Sequence, residues 1–220
     1  MIFEINQLKT IGKKLPEIFY LHEDVVHIAR ELLGKILVTN FDNQLTAGRI
    51  IETEAYNGTY DKAAHSYNNK RTNRTEVMFR EGGVAYVYLC YGLHYMFNVV
   101  TNIKDKPNAI LIRALEPITG LDIMLKRANK QIAGFELTKG PGNVGKALGL
   151  NKIHSGINLQ SDEIFIVDDG FRYNKNEIAT TKRIGVEYAK EDAILPYRFF
   201  ISENKYVSGN KAQNSSKIVL

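Results

Sequence analysis

The stretch GGVAYVYLCYGLHYMFNVVTN, residues 82–102, constrains the fold more than any other part of the sequence. Two runs of β-branched and aromatic residues flank a short turn around Gly92. This pattern is typical of an antiparallel β-hairpin. We therefore predict two adjoining strands joined at Gly92.

Several further segments have the apolar content of strands, and few have the spacing of helices. The predicted strands are residues 35–39, 46–56, 109–116, 163–169, 183–189 and 197–202. The predicted helices are 24–34, 119–129 and a short one that follows a glycine-rich turn within 139–150. Because strands outnumber helices and adjoin in sequence, the fold class is α+β with a mainly antiparallel sheet.

The chain reads as a single domain over residues 1–220, with a core at about 20–202. Residues 1–20 are predicted to form a peripheral arm. Residues 203–220 are rich in Asn, Ser and Lys and are predicted to fray.

Composition narrows the class of protein. The single cysteine, Cys90, excludes an internal disulfide framework and a cysteine-based zinc site. No segment has the ~18 consecutive apolar residues of a membrane span, and the N-terminus lacks a signal-peptide pattern. We expect an intracellular, soluble protein that does not bind membranes. Its net charge of +5 is compatible with binding to nucleic acid.

The strand at 46–56 carries two carboxylates. Glu52, Glu54 and Tyr56 are spaced by two and would share one face. They could form the polar side of a half-exposed strand, or one carboxylate could be a general base that activates water. A metal site built from Glu52, Glu54 and His65 is a third interpretation.

Charged and aromatic residues around the hairpin favour the general-base interpretation. Tyr91 next to the turn would expose a ring on which a base could stack or that could open a duplex. Arg113 lies in the apolar run LIRAL, so it should be paired, and Glu54 is the natural partner. An arginine beside a glutamate keeps the carboxylate ionised, as a base requires.

Eight motifs follow one another along the chain: ETEAY (52–56), AAHS (63–66), MF (78–79), YVYLCYG (86–92), Asn98, LIRALEP (111–117), KGPGNVGKALGL (139–150) and RIGV (183–186). Their order resembles that of the alkyladenine (3-methyladenine) DNA glycosylases over roughly residues 20–202. The resemblance implies a single α+β domain with a curved sheet, flanking helices and a protruding hairpin that enters the DNA minor groove.

The resemblance also implies a monofunctional DNA repair glycosylase. Such an enzyme flips an alkylated or deaminated purine out of double-stranded DNA and hydrolyses its N-glycosidic bond, leaving an abasic site. It implies a monomer that needs no metal or organic cofactor. A bacterial cytoplasm, with association to the nucleoid, is favoured over a eukaryotic nucleus.

Residue roles carry over position by position. Glu54 would deprotonate the water, Arg113 would hold that water, and Tyr91 would be the wedge in the duplex. The pocket for the flipped base would be formed by Tyr56, His65, Tyr88 and Asn98. Tyr86 is given no direct role, and the role of Glu52 stays open.

Two positions depart from the family pattern and bear on substrate range. Leu93 stands where some members have methionine, and Thr75 where asparagine is common. Two other functions remain as alternatives: a non-catalytic protein that binds damaged DNA, and a metal-dependent nuclease built on Glu52, Glu54 and His65.

Overall fold

A computed structural model describes residues 12–215, and nine strands within this range form one sheet. The strands are β1 (Lys13–Lys14), β2 (Ile36–Phe41), β3 (Gln44–Tyr56), β4 (Val84–Cys90), β5 (His94–Thr101), β6 (Asn108–Thr119), β7 (Ile164–Asp168), β8 (Ile178–Thr181) and β9 (Arg198–Ile201). All their pairings are antiparallel. The α+β class and the predicted hairpin, formed by β4 and β5, are confirmed.

Five α-helices lie beside the sheet in the same range. They are α1 (Glu17–Tyr20), α2 (Val25–Glu31), α3 (Leu121–Ala128), α4 (Pro141–Ala147) and α5 (Lys211–Ser215). The carboxylate of Asp24 accepts hydrogen bonds from the backbone N–H groups of Val26 (2.8 Å) and His27 (3.1 Å) and so caps α2, as its predicted start requires. None of the helices within residues 12–215 has the length and apolar character to cross a bilayer.

Strand β3 is the centre of the sheet, in the order β1-β7-β2-β3-β6-β5-β4. Its first half pairs with β2, whereas Glu52–Glu54 pairs with β9, and β6 runs along its other edge. The register between β3 and β6 shifts between Ile50 and Thr53. Such bulges bend a strand and increase its twist, which accounts for the curvature of the sheet at this point.

The two faces of the sheet have different neighbours. Side chains alternate along a strand, so every second residue points to the same side. One face packs on α2 and α4 in the main core, through Ala85, Val87, Phe97, Val99, Ile110 and Ile112. The opposite face carries the intervening residues, among them Tyr86, Tyr88, Asn98 and Arg113, and lines a cavity.

The predicted strand at 183–189 is wrong. The strand lies earlier, at Ile178–Thr181, and a kinked 3₁₀ segment runs over Glu187–Ile194. Gly185 has φ +76°, which a strand does not allow. The Arg183 guanidinium is buried and donates to the Asp61 carboxylate and the carbonyl oxygen of Ala55 (2.9 Å). These contacts hold the start of the segment away from the geometry of a strand.

The predicted fraying of residues 203–220 is also wrong for 203–215; residues 216–220 lie outside the described range. Val207 and Ser208 are buried, and the backbone N–H of Ser208 donates to Glu52 (2.6 Å). The polar residues of this segment are thus engaged by buried charges. At the other end, residues 12–20 of the predicted arm join the fold through β1 and the buried Tyr20, and residues 1–11 are outside the described range.

Gly145 provides a test of how closely α4 approaches the hairpin. A Cβ at this position would lie 2.0 Å from the carbonyl oxygen of Tyr95 in β5. Helix propensity alone would favour alanine by about 1 kcal/mol. We instead expect Gly145→Ala to lower the free energy of unfolding by about 1–3 kcal/mol, because helix and strand must separate.

Urea denaturation measures this change, with Gly134→Ala as the matched control. A Cβ at Gly134 meets no heavy atom within 4 Å. A Gly145→Ala variant as stable as the control would contradict the close contact between α4 and β5.

Candidate active site

The cavity has a volume of about 410 Å³ and lies between the open face of β4–β6 and two loops. This volume is within the roughly 300–1,000 Å³ range of small-ligand sites. Six of the seven predicted site residues are in its lining: Tyr56, His65, Tyr88, Tyr91, Asn98 and Arg113. The seventh, Glu54, is fully buried and contacts the lining residues Tyr56 and Arg113.

Three donors hold the Glu54 carboxylate. Oε2 accepts from the Tyr56 hydroxyl (2.9 Å) and from Nη1 of Arg113 (3.1 Å), and Oε1 accepts from the backbone N–H of Ile184 (2.8 Å). The predicted pairing of Arg113 with Glu54 is therefore present. The alternative of a half-exposed polar strand is wrong, because Glu52 and Glu54 are both inaccessible to solvent.

Glu52 is the most heavily bonded carboxylate of the site. Its Oε1 accepts from Nε of Arg113 (3.0 Å), Nε of Arg198 (2.7 Å) and Oγ of Ser208 (2.8 Å). Burial alone would raise the pKa of Glu52, but Arg113, Arg198 and the Ser208 N–H outweigh burial and lower it. Glu52 is thus held as an anion.

These contacts disfavour the metal interpretation. Glu52 faces two guanidinium groups, which would repel a metal cation. His65 points elsewhere, with its Nδ1 3.0 Å from the Tyr86 hydroxyl. Over residues 12–215, no group of three or more His, Cys, Asp or Glu side chains is placed to hold a metal ion.

Aromatic rings form one wall of the cavity. The His65 ring meets Tyr88 edge to face, with centroids 4.7 Å apart, and Tyr86 and Tyr88 lie 5.4 Å apart. Asn98, on the neighbouring strand, donates from Nδ2 to the carbonyl oxygen of Tyr86 (3.1 Å), which orients its amide. Tyr86, which sequence reasoning left without a role, thus supports both His65 and Asn98.

His65 is neutral in this environment. Burial, followed by the positive charges of Arg74 and Lys70, lowers the pKa of His65 to about 4. Nη2 of Arg74 donates to Nε2 of His65 (3.0 Å), so Nε2 is the acceptor. Nη2 of Arg74 is also 3.4 Å from Nδ1, but its shorter contact with Nε2 assigns the ring proton to Nδ1, where it can be donated to the Tyr86 hydroxyl.

Tyr56 joins the carboxylate to the cavity. Burial of its hydroxyl and then the Glu54 charge raise the pKa of Tyr56 well above the ordinary value, so it stays a donor. The guanidinium of Arg183 lies 4.8 Å from its ring centroid. Arg183 is in turn held by Asp61, a contact between residues 122 positions apart that no local pattern reveals.

Arg74, on the segment before the hairpin, is a further residue of the cavity lining. Its guanidinium lies 4.7 Å from the ring centroid of Tyr88 and bonds to His65. The exposed side chain thus provides a cation at the mouth of an aromatic cavity.

The tip of the hairpin exposes large apolar side chains. Tyr91 is 87% exposed and Leu93 77% exposed. Tyr91 and Gly92 have φ values of +50° and +69°, and the N–H of Leu93 donates to the carbonyl oxygen of Cys90 (3.1 Å). These features are typical of a type I′ turn, in which Asn or Gly would be the less strained choice at position 91.

Comparison with known proteins finds one matching family model and several similar bacterial proteins. Residues 19–205 match the family model described as Methylpurine-DNA glycosylase (MPG). A protein from Chlamydia abortus named "Putative 3-methyladenine DNA glycosylase" is 47% identical over 188 residues, which cover 85% of this chain and 97% of that protein.

Proteins of the same name from two other bacteria are similar over comparable lengths. The one from Natranaerobius thermophilus is 43% identical over 192 residues, covering 87% of this chain and 97% of that protein. The one from Clostridium perfringens strain 13 is 40% identical over 198 residues, covering 86% and 96%. The family-model match over residues 19–205 thus spans strands β2–β9, the hairpin and the residues that line the cavity.

The neutral state of His65 makes stability depend on pH. The folded-state pKa is about 4, below the value of 6.5 for an unperturbed histidine. Below pH 6.5 the unfolded chain binds a proton that the folded chain does not, so the folded state loses stability as the pH falls toward 4.

We expect the free energy of unfolding of the wild type to fall by on the order of 1–2 kcal/mol between pH 7 and pH 5 because of this histidine. Urea denaturation at the two pH values should show a smaller loss for His65→Gln, which cannot be protonated. Equal losses in the two proteins, or an NMR titration of His65 near pH 6.5, would contradict the lowered pKa.

Proposed function

Since the chain belongs to the methylpurine-DNA glycosylase family, we propose that it excises alkylated or deaminated purines, such as 3-methyladenine, from double-stranded DNA. The reaction is hydrolysis of the N-glycosidic bond by a water molecule that Glu54 activates, and it leaves an abasic site. One observation carries this proposal: a buried carboxylate, held by Arg113 and Tyr56, lies directly behind an aromatic cavity large enough for a small ligand.

Glu54 is suited to be the general base. Three donors hold its two oxygens in place, so its orientation is already determined before substrate binds. It accepts a proton from water as the water oxygen bonds to the sugar C1′. The C–N bond breaks with its electron pair going to the base, which neutralises the positive charge of an alkylated purine. The nearby carboxylate also stabilises the cationic character that develops on the sugar.

The cavity wall suits a flat, cationic base. Stacking of a cation on tyrosine is worth about 0.5–2 kcal/mol. Tyr56 and Tyr88 provide the rings, and the neutral His65 adds no positive charge to those of Arg74 and Arg113, which also line the cavity. Asn98, whose amide is oriented by the Tyr86 carbonyl, would contact a base edge and exclude ordinary guanine, whose exocyclic amino group would clash with it.

Tyr91 is proposed as the wedge that fills the space left in the duplex. A non-glycine residue with positive φ costs about 1–3 kcal/mol, and such strain commonly occurs at functional sites. The exposed Leu89 and Leu93 flank it and enlarge the apolar tip. Insertion of such side chains between base steps is a known way to unstack DNA.

The setting of this activity is proposed from the relatives and the chain's charge. The three similar proteins named above are bacterial, which supports a bacterial cytoplasm with association to the nucleoid. The net charge of +5 favours approach to duplex DNA. We propose that the protein acts as a monomer.

Glu54→Gln tests the proposed base. We expect single-turnover base release from alkylated duplex DNA, measured in EDTA, to fall by at least about 10²-fold while DNA binding persists. Glu163→Gln, an exposed position directly before β7 and outside the cavity lining, is the matched control and should keep the wild-type rate.

Each outcome separates the candidate functions. Binding to damaged DNA with no base release by the wild type would indicate a non-catalytic binding protein. Loss of wild-type activity in EDTA would indicate metal-dependent chemistry. An undiminished Glu54→Gln rate would mean that another group activates the water.

Tyr91→Asn distinguishes the role of Tyr91 as a wedge from its effect on the stability of the turn. Asparagine tolerates positive φ, so the free energy of unfolding should rise by about 1 kcal/mol. Base release should nevertheless fall about tenfold or more, because a few kcal/mol of flipping cost is no longer offset. Tyr60→Asn serves as the control, because Tyr60 is also highly exposed (82%) but lies outside the hairpin. Unchanged release by Tyr91→Asn would rule out the wedge.

A further inference from the structure

We propose that Ser208, Glu52 and Arg198 are positioning residues for the reaction, because they hold the guanidinium of Arg113 against Glu54. The C-terminal segment 203–215 would then be part of the active site. This inference rests on the proposed function, in which Glu54 is the base. The four side chains Glu52, Arg113, Arg198 and Ser208 are called the Glu52 cluster below.

Arg113 uses only one of its three nitrogens to contact Glu54. Nη1 bonds to Glu54 (3.1 Å), Nε donates to Glu52 (3.0 Å), and Nη2 donates to Oγ of Ser208 (3.1 Å). A planar guanidinium held at two edges cannot rotate about its own axis without breaking those bonds. The orientation of the Nη1 bond to Glu54 is therefore determined by Glu52 and Ser208.

Ser208 closes a ring of hydrogen bonds. Its hydroxyl accepts from Arg113 and donates to Oε1 of Glu52 (2.8 Å), while its backbone N–H donates to Oε2 of Glu52 (2.6 Å). The hydroxyl thus links Arg113 to Glu52 and connects both to the C-terminal segment. Substitution by alanine removes this link and leaves the backbone N–H bond in place.

Arg198 anchors the segment from beneath. It comes from β9, opposite Glu54 in the register with β3, and is fully buried. Nε donates to Glu52 (2.7 Å), and Nη2 donates to the carbonyl oxygen of Ser208 (3.0 Å) and to Oδ1 of Asn214 (2.8 Å). The segment 208–214 is therefore held against the same carboxylate that holds Arg113.

The charges of the Glu52 cluster and Glu54 balance one another. Two guanidiniums and two carboxylates meet in the interior, so Glu52 neutralises the second cation and leaves Arg113 available to Glu54. Buried ion pairs are weak evidence for stability, because well-packed apolar residues can replace them at little cost. Of the Glu52 cluster only Arg113 lines the cavity, yet the other three all serve to hold it.

The test uses the full chain and single-turnover release from dimethyl-sulfate-treated duplex DNA in EDTA. Loss of one charge-assisted hydrogen bond predicts about tenfold slower release by Ser208→Ala. Its Kd for a duplex that contains an abasic-site analogue should stay within about twofold, since the cluster acts through Arg113 and not on DNA. Ser208→Thr keeps the hydroxyl and should recover most of the rate.

Val38→Ala is the stability control, since Val38 is fully buried in a separate apolar cluster on β2. It should lower the melting temperature without slowing release at 20 °C. A Ser208→Ala variant that behaves like this control, less stable but equally fast, would overturn the positioning role.

A second readout does not depend on catalysis. In NMR spectra of ¹⁵N-arginine-labelled protein, the Arg113 Nη protons should be in slow rotational exchange in the wild type and in faster exchange in Ser208→Ala. Unchanged exchange would overturn the inference. If the wild type released no base, the proposed function would fail, and this measurement would still decide whether Ser208 holds Arg113.

Discussion

The buried contact of two carboxylates with two guanidiniums is the constraint on which the rest of the structure depends. Glu52 and Glu54 come from β3, Arg113 from β6 and Arg198 from β9. A single unpaired charge in this interior would cost several kcal/mol, so all three strands must be in register together. A one-residue slip would turn the carboxylates into the apolar core, which strongly disfavours any other pairing.

The same alternation explains how one sheet can be both scaffold and site. Along β4, β5 and β6, every second residue packs under helices α2 and α4, and the residues between them line the cavity. The bulge near Glu52 bends β3 where it changes partner from β2 to β9. The bend brings Glu54 behind the cavity, and β9 brings Arg198 to Glu52.

Local patterns were enough to predict the hairpin, the start of α2 and the pairing of Arg113 with Glu54, because periodicity, a capping residue and a charge in an apolar run are visible in sequence. The contacts that were missed join distant residues: Ser208 and Glu52 are 156 positions apart. The segment 183–189 imitates a strand by its alternation, but the buried pair of Arg183 with Asp61 prevails. Likewise, the polar tail was expected to fray because its buried partners could not be seen.

The tight turn at Tyr91 fixes the spacing of the aromatic residues along the hairpin. Cys90 and His94 are directly paired, so the tip has no slack between the strands. Tyr88 and Tyr91 are three residues apart, and their Cα atoms can be separated by at most about 10–11 Å. Under the proposed roles, the stacking ring and the wedge belong to one stiff piece of backbone. The spacing of Tyr88 and Tyr91 thus limits the distance between a flipped base and the gap that it leaves in the duplex. A nucleotide displaced by a different distance could not stack on Tyr88 while Tyr91 fills the gap.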